Sequence, residues 1–375
     1  MKTKQLLSNM AVLCTVLLLT SMLYAQTTWR VNNQSNYDGT TNFGENYGGT
    51  PSFPVFSEIN EAVAYPNVND GDILHVEGST IVYADATITK ELVIIGPGYF
   101  LTENPKVSNN TYDAKIGRVT FDAGSESSQL IGMNILYDGS SVDGIVYVNV
   151  NGVTVKRCRI DRYVRPNTQL VDIYILQNFF PNTYNTSAIV DTGSSSYIPP
   201  QEIVFNNNIC QKKLLWTDNA WGTGTIMVCN NNVFDGPANE LNLEFNTGSF
   251  QNNILKAAGI TANINSGTNN NVEYNTVSNS DVFDGTPGNL WVPSMALLFV
   301  EEGTTDGLYQ LQSGSSYNQA GSDGAERGAF GGVVLTNRYN LSGLGAIPVA
   351  YDVTTTGVSE PGTGLSVTVK ARTNN

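Results

Sequence analysis

Three stretches near the middle of the chain decide the fold: EIVFNNNICQ at residues 202–211, IMVCNNNVFD at 226–235 and GSFQNNILKA at 248–257. Each stretch has apolar residues at alternating positions, then a polar run rich in Asn, then a further apolar residue. The alternation is the period of a β-strand with one buried face. The recurrence of the whole unit predicts a repeat protein.

The same unit continues on both sides of these stretches, and its final apolar residues recur at intervals averaging about 24 residues. A period of this length, without an amphipathic helix between the strands, predicts a solenoid whose rungs are made of sheet. Leucine-rich repeats are the competing interpretation, but they need leucines at fixed positions, and here the aliphatic residue varies. The final apolar residues are Ile135, Ile160, Phe179, Ile209, Val233, Ile254 and Val277.

The recurring asparagines predict a ladder inside this solenoid. An inward Asn side chain at a corner can bond backbone groups and stack on the Asn of the next rung, about 4.8 Å away. Contact with a ligand is the alternative role for these side chains. The asparagines assigned to the ladder are Asn207, Asn208, Asn231, Asn232, Asn252 and Asn253.

The cysteines do not predict a disulfide or a metal site. Cys14 lies in the N-terminal apolar stretch, and the remaining Cys158, Cys210 and Cys229 form an odd set without CxxC spacing. In a stack of rungs no two of them reach the distance that a disulfide needs. We therefore expect buried free thiols.

The segment from Phe56 to Tyr99 carries motifs of a known family. It contains a helix pattern with one apolar side, a GDILHV strand and a K-x-L-x-I-x-G-x-G turn that includes Gly96 and Gly98. The segment resembles the start of right-handed parallel β-helix proteins of the pectin-lyase-like type. The stretches at 127–135 and 306–332 resemble a following coil and the terminal coil of the same proteins.

The resemblance implies an all-β chain folded as a right-handed parallel β-helix solenoid with an N-terminal capping helix. Two alternating runs near the C-terminus, IPVAYDVTTT and LSVTVKAR, predict a β-hairpin that caps the open end of the stack. We expect a signal peptide at residues 1–25, the β-helix domain at 26–340 and the hairpin cap at 341–375. The side chains expected to turn inward are Ile59, Ala62 and Val63 on the helix, and Leu74 and Val76 on the first strand.

The net charge and the N-terminal apolar stretch limit the partners and the location that we expect for this protein. The chain has 19 basic and 33 acidic residues, a net charge of −14, so nucleic acid is not an expected partner. Lys2 and Lys4 precede the apolar stretch MAVLCTVLLLTSMLY, which indicates a secretory signal cleaved after Ala25. No later stretch is long enough for a membrane span. We expect a secreted or cell-surface monomer.

The residues do not predict a glycoside hydrolase. Such enzymes need paired carboxylates, and the Asp-Asp and His-Gly motifs of polygalacturonase-like relatives are missing. The one histidine, His75, lies between two inward strand positions and should face outward as an ordinary strand residue. We therefore expect no cofactor and no metal site, and we favour a protein without catalytic activity.

A polysaccharide lyase acting on a uronate polymer by β-elimination is the alternative. It needs a base for the proton beside the carboxylate, and Ca²⁺ or cationic side chains to neutralise that carboxylate. The basic run VKRCRIDRYVRP supplies Arg159 and Arg162, and Lys212 follows two rungs later. These three are the candidate catalytic residues, and Ca²⁺ is expected only under this alternative.

Binding of extended carbohydrate is the favoured function. Basic residues at similar positions of their rungs predict either a cationic strip along one face or ordinary solvated residues that balance nearby acids, and the balancing role is the more common one for such residues. Tryptophans in loop-like segments predict either stacking on sugar rings or covers over the solenoid. The candidate substrate-binding residues are Arg162, Lys212, Lys213, Lys256, Trp216 and Trp221.

Overall fold

The computed structural model describes residues 26–39, 42–107, 111–184, 186–191, 198–200, 202–218, 222–273, 275–283, 286, 288–315, 319–345, 347–355 and 364–372. The expected signal peptide, residues 1–25, and the candidate residue Trp221 lie outside this part of the chain. Within it, no helix has both the length and the hydrophobicity needed to cross a bilayer.

Three large parallel sheets form the body of the protein. The first sheet contains β1 (Thr28–Val31), β2 (Val55–Phe56), β3 (Ile73–Val76), β5 (Val93–Ile95), β8 (Gln129–Ile131), β11 (Thr154–Lys156), β14 (Ile173–Leu176) and β16 (Ile203–Asn206). The second contains β6 (Lys115–Ile116), β9 (Asn134–Ile135), β12 (Arg159–Ile160), β15 (Phe179–Phe180), β17 (Ile209–Cys210), β22 (Val233–Phe234), β24 (Ile254–Leu255), β26 (Thr276–Val277) and β27 (Leu290–Trp291). The third contains β4 (Ala86–Ile88), β7 (Arg118–Phe121), β10 (Ile145–Val148) and β13 (Tyr163–Pro166).

The remaining elements are smaller. A fourth parallel sheet joins β18 (Leu214–Leu215), β21 (Thr225–Ile226), β23 (Leu241–Gln251) and β25 (Thr261–Glu273). Two antiparallel pairs are β19 (Thr217–Asp218) with β20 (Gly222–Thr223), and β28 (Val349–Thr355) with β29 (Val367–Arg372). The helices are α1 (Ile59–Ala64) and short 3₁₀ turns at Glu45–Tyr47, Met295–Leu297, Gly307–Tyr309, Leu335–Asn337 and Leu341–Gly343.

From β5 to β15 the chain passes through the first, second and third sheets in turn, and each pass lies in register on the previous one. The arrangement confirms the prediction of an all-β chain built mainly from parallel sheets, and it is compatible with a β-helix. Inward strand positions form one continuous apolar core, which includes Leu74, Val76 and the α1 side chains Ile59, Ala62 and Val63. The three cysteines are buried free thiols, as predicted.

An asparagine ladder crosses the turn between the first and second sheets. The Asn208 Oδ1 atom accepts the backbone N–H of Asn178 at 2.8 Å, and the Asn232 Oδ1 atom accepts that of Asn208 at 2.9 Å. The same pattern continues through Asn253, Asn275 and Asn289. These amides satisfy backbone groups that would otherwise be buried without partners.

Half of the asparagines assigned to the ladder have another role. Asn207, Asn231 and Asn252 precede the ladder positions and adopt left-handed backbone conformations with φ of 55° to 58°. Asn tolerates this conformation better than most residues, so these positions form the turn itself. The prediction was correct for Asn208, Asn232 and Asn253, and wrong for their neighbours.

The stretch at 306–332, expected as a terminal coil, instead covers the outside of the second sheet. The outward positions of β15, β17, β22 and β24 are apolar and buried, and they form a second core with residues 292–339. The members of this outer core include Phe179, Ile209, Val233 and Ile254 from the sheet, and Met295, Phe299, Tyr309 and Tyr339 from the cover.

Residues 328–344, here called the strap, then run back along the turns of successive passes. The Gly328 N–H donates to the Asn252 carbonyl at 2.7 Å, and the Asn207 side chain donates to the Ala329 carbonyl at 2.9 Å. Further along, the Gln177 amide donates to the Thr336 carbonyl at 2.8 Å. The strap therefore joins late passes to early ones through hydrogen bonds with the turn residues.

The two strands predicted near the C-terminus form the antiparallel pair β28 and β29. In the described part of the chain these strands pair only with each other. Leu365, Val367 and Val369 are at least half exposed. The pair therefore does not extend the large sheets, and the cap role predicted for it is not seen among these residues.

Candidate functional site

Two of the three candidate catalytic residues, Arg159 and Lys212, lie near a carboxylate that the sequence analysis did not select as a site residue, that of Asp161. Arg159 begins β12 and Asp161 directly follows this strand. The two form an ion pair, with Arg159 Nη2 at 2.9 Å from Asp161 Oδ1. Lys212, which follows β17, lies within electrostatic reach of both Asp161 and Arg162. We call Arg159, Asp161, Arg162 and Lys212 the Asp161 cluster.

Burial shifts the pKa values of Asp161 and Lys212 in opposite directions. Burial raises the pKa of Asp161, and the nearby Arg159 charge opposes the rise. Burial lowers the pKa of Lys212 to about 8, although Cys210 and Asp161 favour its charged form. Lys212 is only 1% exposed and its Nζ donates to the Tyr184 carbonyl. As it is placed, Lys212 cannot contact a polymer.

The Lys212→Met variant is expected to remove a pH-dependent part of the stability. Lys212 titrates near pH 8 when folded and near about 10.4 when unfolded. Between these values the unfolded state holds the extra proton, so the contribution of Lys212 to stability rises with pH. In denaturant unfolding, the free energy of unfolding of the wild type should increase by about 1–3 kcal/mol relative to the variant between about pH 7 and pH 10. A difference that stays constant with pH would contradict this assignment.

Arg162 is surrounded by tyrosine rings at the edge of this cluster. Its guanidinium carbon lies 4.6 Å from the ring centre of Tyr184, 5.1 Å from Tyr163 and 5.2 Å from Tyr137. Its Nη1 donates to the Asp143 carbonyl at 3.3 Å. Contacts of a guanidinium with several ring faces fix its position by cation–π attraction.

The outer face of the third sheet lies next to Arg162 and the tyrosine rings around it. In-register pairing aligns Thr87, Thr120, Tyr147 and Arg165 on consecutive strands, while the residues on either side of each position in β7 and β10 are buried. The Arg165 guanidinium lies 5.7 Å from the ring centre of Tyr147. We call the partly exposed side chains of Tyr137, Tyr147, Tyr184, Arg162 and Arg165, together with the buried Tyr163 ring that Arg162 contacts, the tyrosine–arginine face.

The sequence analysis selected Arg162 and missed the tyrosines. The signal was available, because RVTF at 118–121, IVYV at 145–148 and YVRP at 163–166 alternate with the same period. Aligning these runs by their buried positions puts Tyr147 and Arg165 at one outward position. The next outward position of the same strands holds Arg118, whose guanidinium pairs with Asp85 and Asp143 at 2.8 and 2.9 Å.

Lys213 and Lys256 are each paired with an acidic side chain. Lys213 pairs with Glu240 at 2.5 Å. Lys256 pairs with Asp235 at 2.6 Å and lines a separate cleft of about 570 Å³ under the cover segment. The predicted single strip of Arg162, Lys212 and Lys256 is therefore not formed.

Trp216 corrects the prediction of an exposed stacking ring. It is 1% exposed and belongs to the main core, where Gly224 approaches its indole ring closely. For Trp216 the structure supports the other predicted role, in which the ring packs against the solenoid. Trp291, on β27, is 56% exposed. The described residues include no group of three His, Cys, Asp or Glu side chains placed to hold a metal ion.

Comparisons with known proteins add no identification: no family model, no curated protein and no solved structure matches the chain.

Proposed function

We propose that this chain is a secreted or cell-surface right-handed parallel β-helix protein of the pectin-lyase-like type that binds extended carbohydrate. The stacked parallel sheets support the fold, and connections between parallel strands are right-handed in nearly all proteins. The helix α1 would cover the first pass. The apolar stretch at residues 10–24 supports secretion.

The tyrosine–arginine face is the observation that carries the binding proposal. On the third sheet, the face occupies the neighbouring strands β10 and β13, and Thr120 and Thr87 continue the same outward row on β7 and β4. With strands about 4.8 Å apart, the whole row is about 14 Å long. Tyrosine rings offer apolar faces to the C–H groups of sugars, and their hydroxyls offer hydrogen bonds. The guanidinium groups favour sugars with carboxylate or sulfate groups. The preferred ligand is therefore an acidic polysaccharide.

The Tyr147→Ala variant is expected to bind an acidic polysaccharide at least about 10-fold more weakly than wild type, a loss of about 1.4 kcal/mol. The measurement is calorimetric titration of the protein without its signal segment against uronate and sulfated polymers. Tyr174→Ala is the matched control, because Tyr174 is also a partly exposed outward tyrosine, but on β14 of the first sheet. Equal losses in both variants, or no binding by wild type, would refute the proposal.

A polysaccharide lyase remains the second candidate function, favoured by the lowered pKa of Lys212 beside Arg159 and Arg162. The neutral Lys212 amine would take the proton beside a uronate carboxylate, and the electron pair of that C–H bond would form a C=C bond. The adjacent glycosidic C–O bond would break, and its oxygen would leave as a hydroxyl after taking a proton from water. Ca²⁺ would be an auxiliary for this reaction alone. Because Lys212 is buried, the mechanism also requires movement of Tyr184. Formation of unsaturated ends, lost in Lys212→Met, would establish it in the same polymer panel.

A further inference from the structure

A pocket of about 260 Å³ lies between the N-terminal loop and helix α1. Aromatic rings dominate its lining, and one carboxylate contributes to it. The lining residues are Tyr37, Phe43, Pro54, Val55, Phe56, Glu61 and Tyr65. We call it the aromatic pocket.

Backbone and side-chain bonds build the loop side of this pocket. The Tyr37 hydroxyl donates to the Val55 carbonyl at 2.8 Å, and the Val55 N–H donates to the Phe43 carbonyl at 3.0 Å. Gly44 adopts φ of 68°, and a Cβ there would lie 2.8 Å from the Tyr37 ring. The close approach of Tyr37 to this loop therefore requires glycine at position 44.

The opposite side is anchored in the core. The rings of Phe56 and Tyr65 meet edge to face with their centres 5.3 Å apart, and Trp29 packs against both. Glu61 Oε2 accepts the N–H and the hydroxyl of Ser57 at 3.0 and 2.9 Å. Glu61 Oε1 has no hydrogen-bond partner among the described residues. The carboxylate is thus held in position with one oxygen not used by the fold.

Four aromatic rings and one carboxylate form a site for an organic cation. The faces of aromatic rings attract cations, and methylated ammonium groups suit such sites because their methyl groups contact the rings. The Glu61 charge adds direct attraction, and the net charge of −14 raises the local concentration of cations. We propose that the aromatic pocket binds a quaternary ammonium group of the choline type. This ligand and this site are independent of the proposed carbohydrate-binding face.

The test compares choline with 3,3-dimethyl-1-butanol, which has the same shape without the charge. Calorimetric or NMR titration of the protein without its signal segment should give choline a Kd below about 10 mM and at least about 10-fold tighter binding than the neutral alcohol. Equal binding of the two compounds would show a merely apolar pocket and would overturn the proposal. Failure of choline to bind in this range would overturn it too.

Two variants locate the binding. Glu61→Gln keeps an acceptor for Ser57 and removes the charge, and it should weaken choline binding at least about 5-fold while leaving the neutral alcohol unchanged. Phe43→Leu keeps apolar bulk and removes one ring face, with a similar expected loss; a thermal melt checks that each variant folds. Tyr147→Ala should leave choline binding unchanged. Loss of choline affinity in Tyr147→Ala, or none in Glu61→Gln, would overturn the assignment.

Discussion

The Asn208→Ala variant is expected to lose about 3–5 kcal/mol of unfolding free energy, because it leaves several buried polar groups without partners at once. The Asn208 Nδ2 group donates to the Ile175 carbonyl at 2.9 Å and to Asn232 Oδ1 at 3.1 Å. Its Oδ1 atom accepts the backbone N–H of Asn178 at 2.8 Å. Alanine supplies none of these bonds, and water has no access to a position with 0% exposure.

Denaturant unfolding of the wild type and the variant measures this loss. Asn263→Ala is the matched control, because Asn263 is an exposed asparagine whose amide donates to the Glu244 side chain at 3.1 Å. Its expected cost is below about 0.5 kcal/mol. A loss under about 1 kcal/mol in Asn208→Ala would mean that the ladder adds little to stability.

The ladder shows which parts of the fold could be predicted from sequence. The repeated asparagines predicted a buried polar column, since only mutually bonded amides tolerate such burial. Sequence did not reveal which asparagine of each pair turns inward. That choice depends on the left-handed backbone at Asn207 and Asn252, which moves the inward position one residue along. A one-residue change of phase in a strand or turn reverses which side chain is buried.

The cover over the second sheet was missed for a different reason. The family resemblance predicts a terminal coil at 306–332, and the alternating runs of the repeat predict only the inward positions of each strand. Strands β17, β22 and β24 each hold two consecutive apolar residues, as in Ile209–Cys210. One residue of each pair must face outward. Such pairs on neighbouring strands predict a covering element, because a bare apolar strip of this kind is rarely left exposed.

The site was predictable in part. Arg162 and Lys212, which their rung positions placed on one strip, lie within electrostatic reach of each other. Their exposure could not be obtained from spacing, because it depends on the Tyr184 segment, whose carbonyl holds the Lys212 amine. A long polar side chain is buried only where a specific acceptor compensates it. No sequence period encodes that partner.

The Asp306→Ala variant is expected to release the strap and to cost about 3–4 kcal/mol. Asp306 is fully buried and accepts three hydrogen bonds. The Thr304 hydroxyl donates to Oδ1 at 2.6 Å, and the Ser342 N–H and the Tyr339 hydroxyl donate to Oδ2 at 2.5 and 3.1 Å. Alanine removes the acceptor of the Thr304 hydroxyl and of the Ser342 N–H, and it leaves the Tyr339 hydroxyl with only its contact to the Tyr99 hydroxyl.

Hydrogen exchange separates this local effect from global unfolding. In Asp306→Ala, the Tyr339 N–H, which donates to the Ala329 carbonyl, should exchange at least about 10-fold faster, while the Asn208 N–H stays protected. Asp323→Ala is the control, because Asp323 is exposed in the same segment. Equal acceleration at Tyr339 and Asn208 would mean that the strap and the sheets unfold as one unit.

The pH dependence gives an independent check on Asp306. Burial raises the pKa of this carboxyl in the folded protein. Its contribution to stability is therefore fully present below the unfolded pKa of about 3.9 and decreases as the pH rises through the folded value. Asp306→Asn keeps acceptors for Ser342 and Tyr339 and cannot ionise, so wild type should lose stability relative to it as the pH rises. If the free energy of unfolding of the wild type instead increases relative to that of Asp306→Asn as the pH rises, the charged carboxylate is the form that the strap requires.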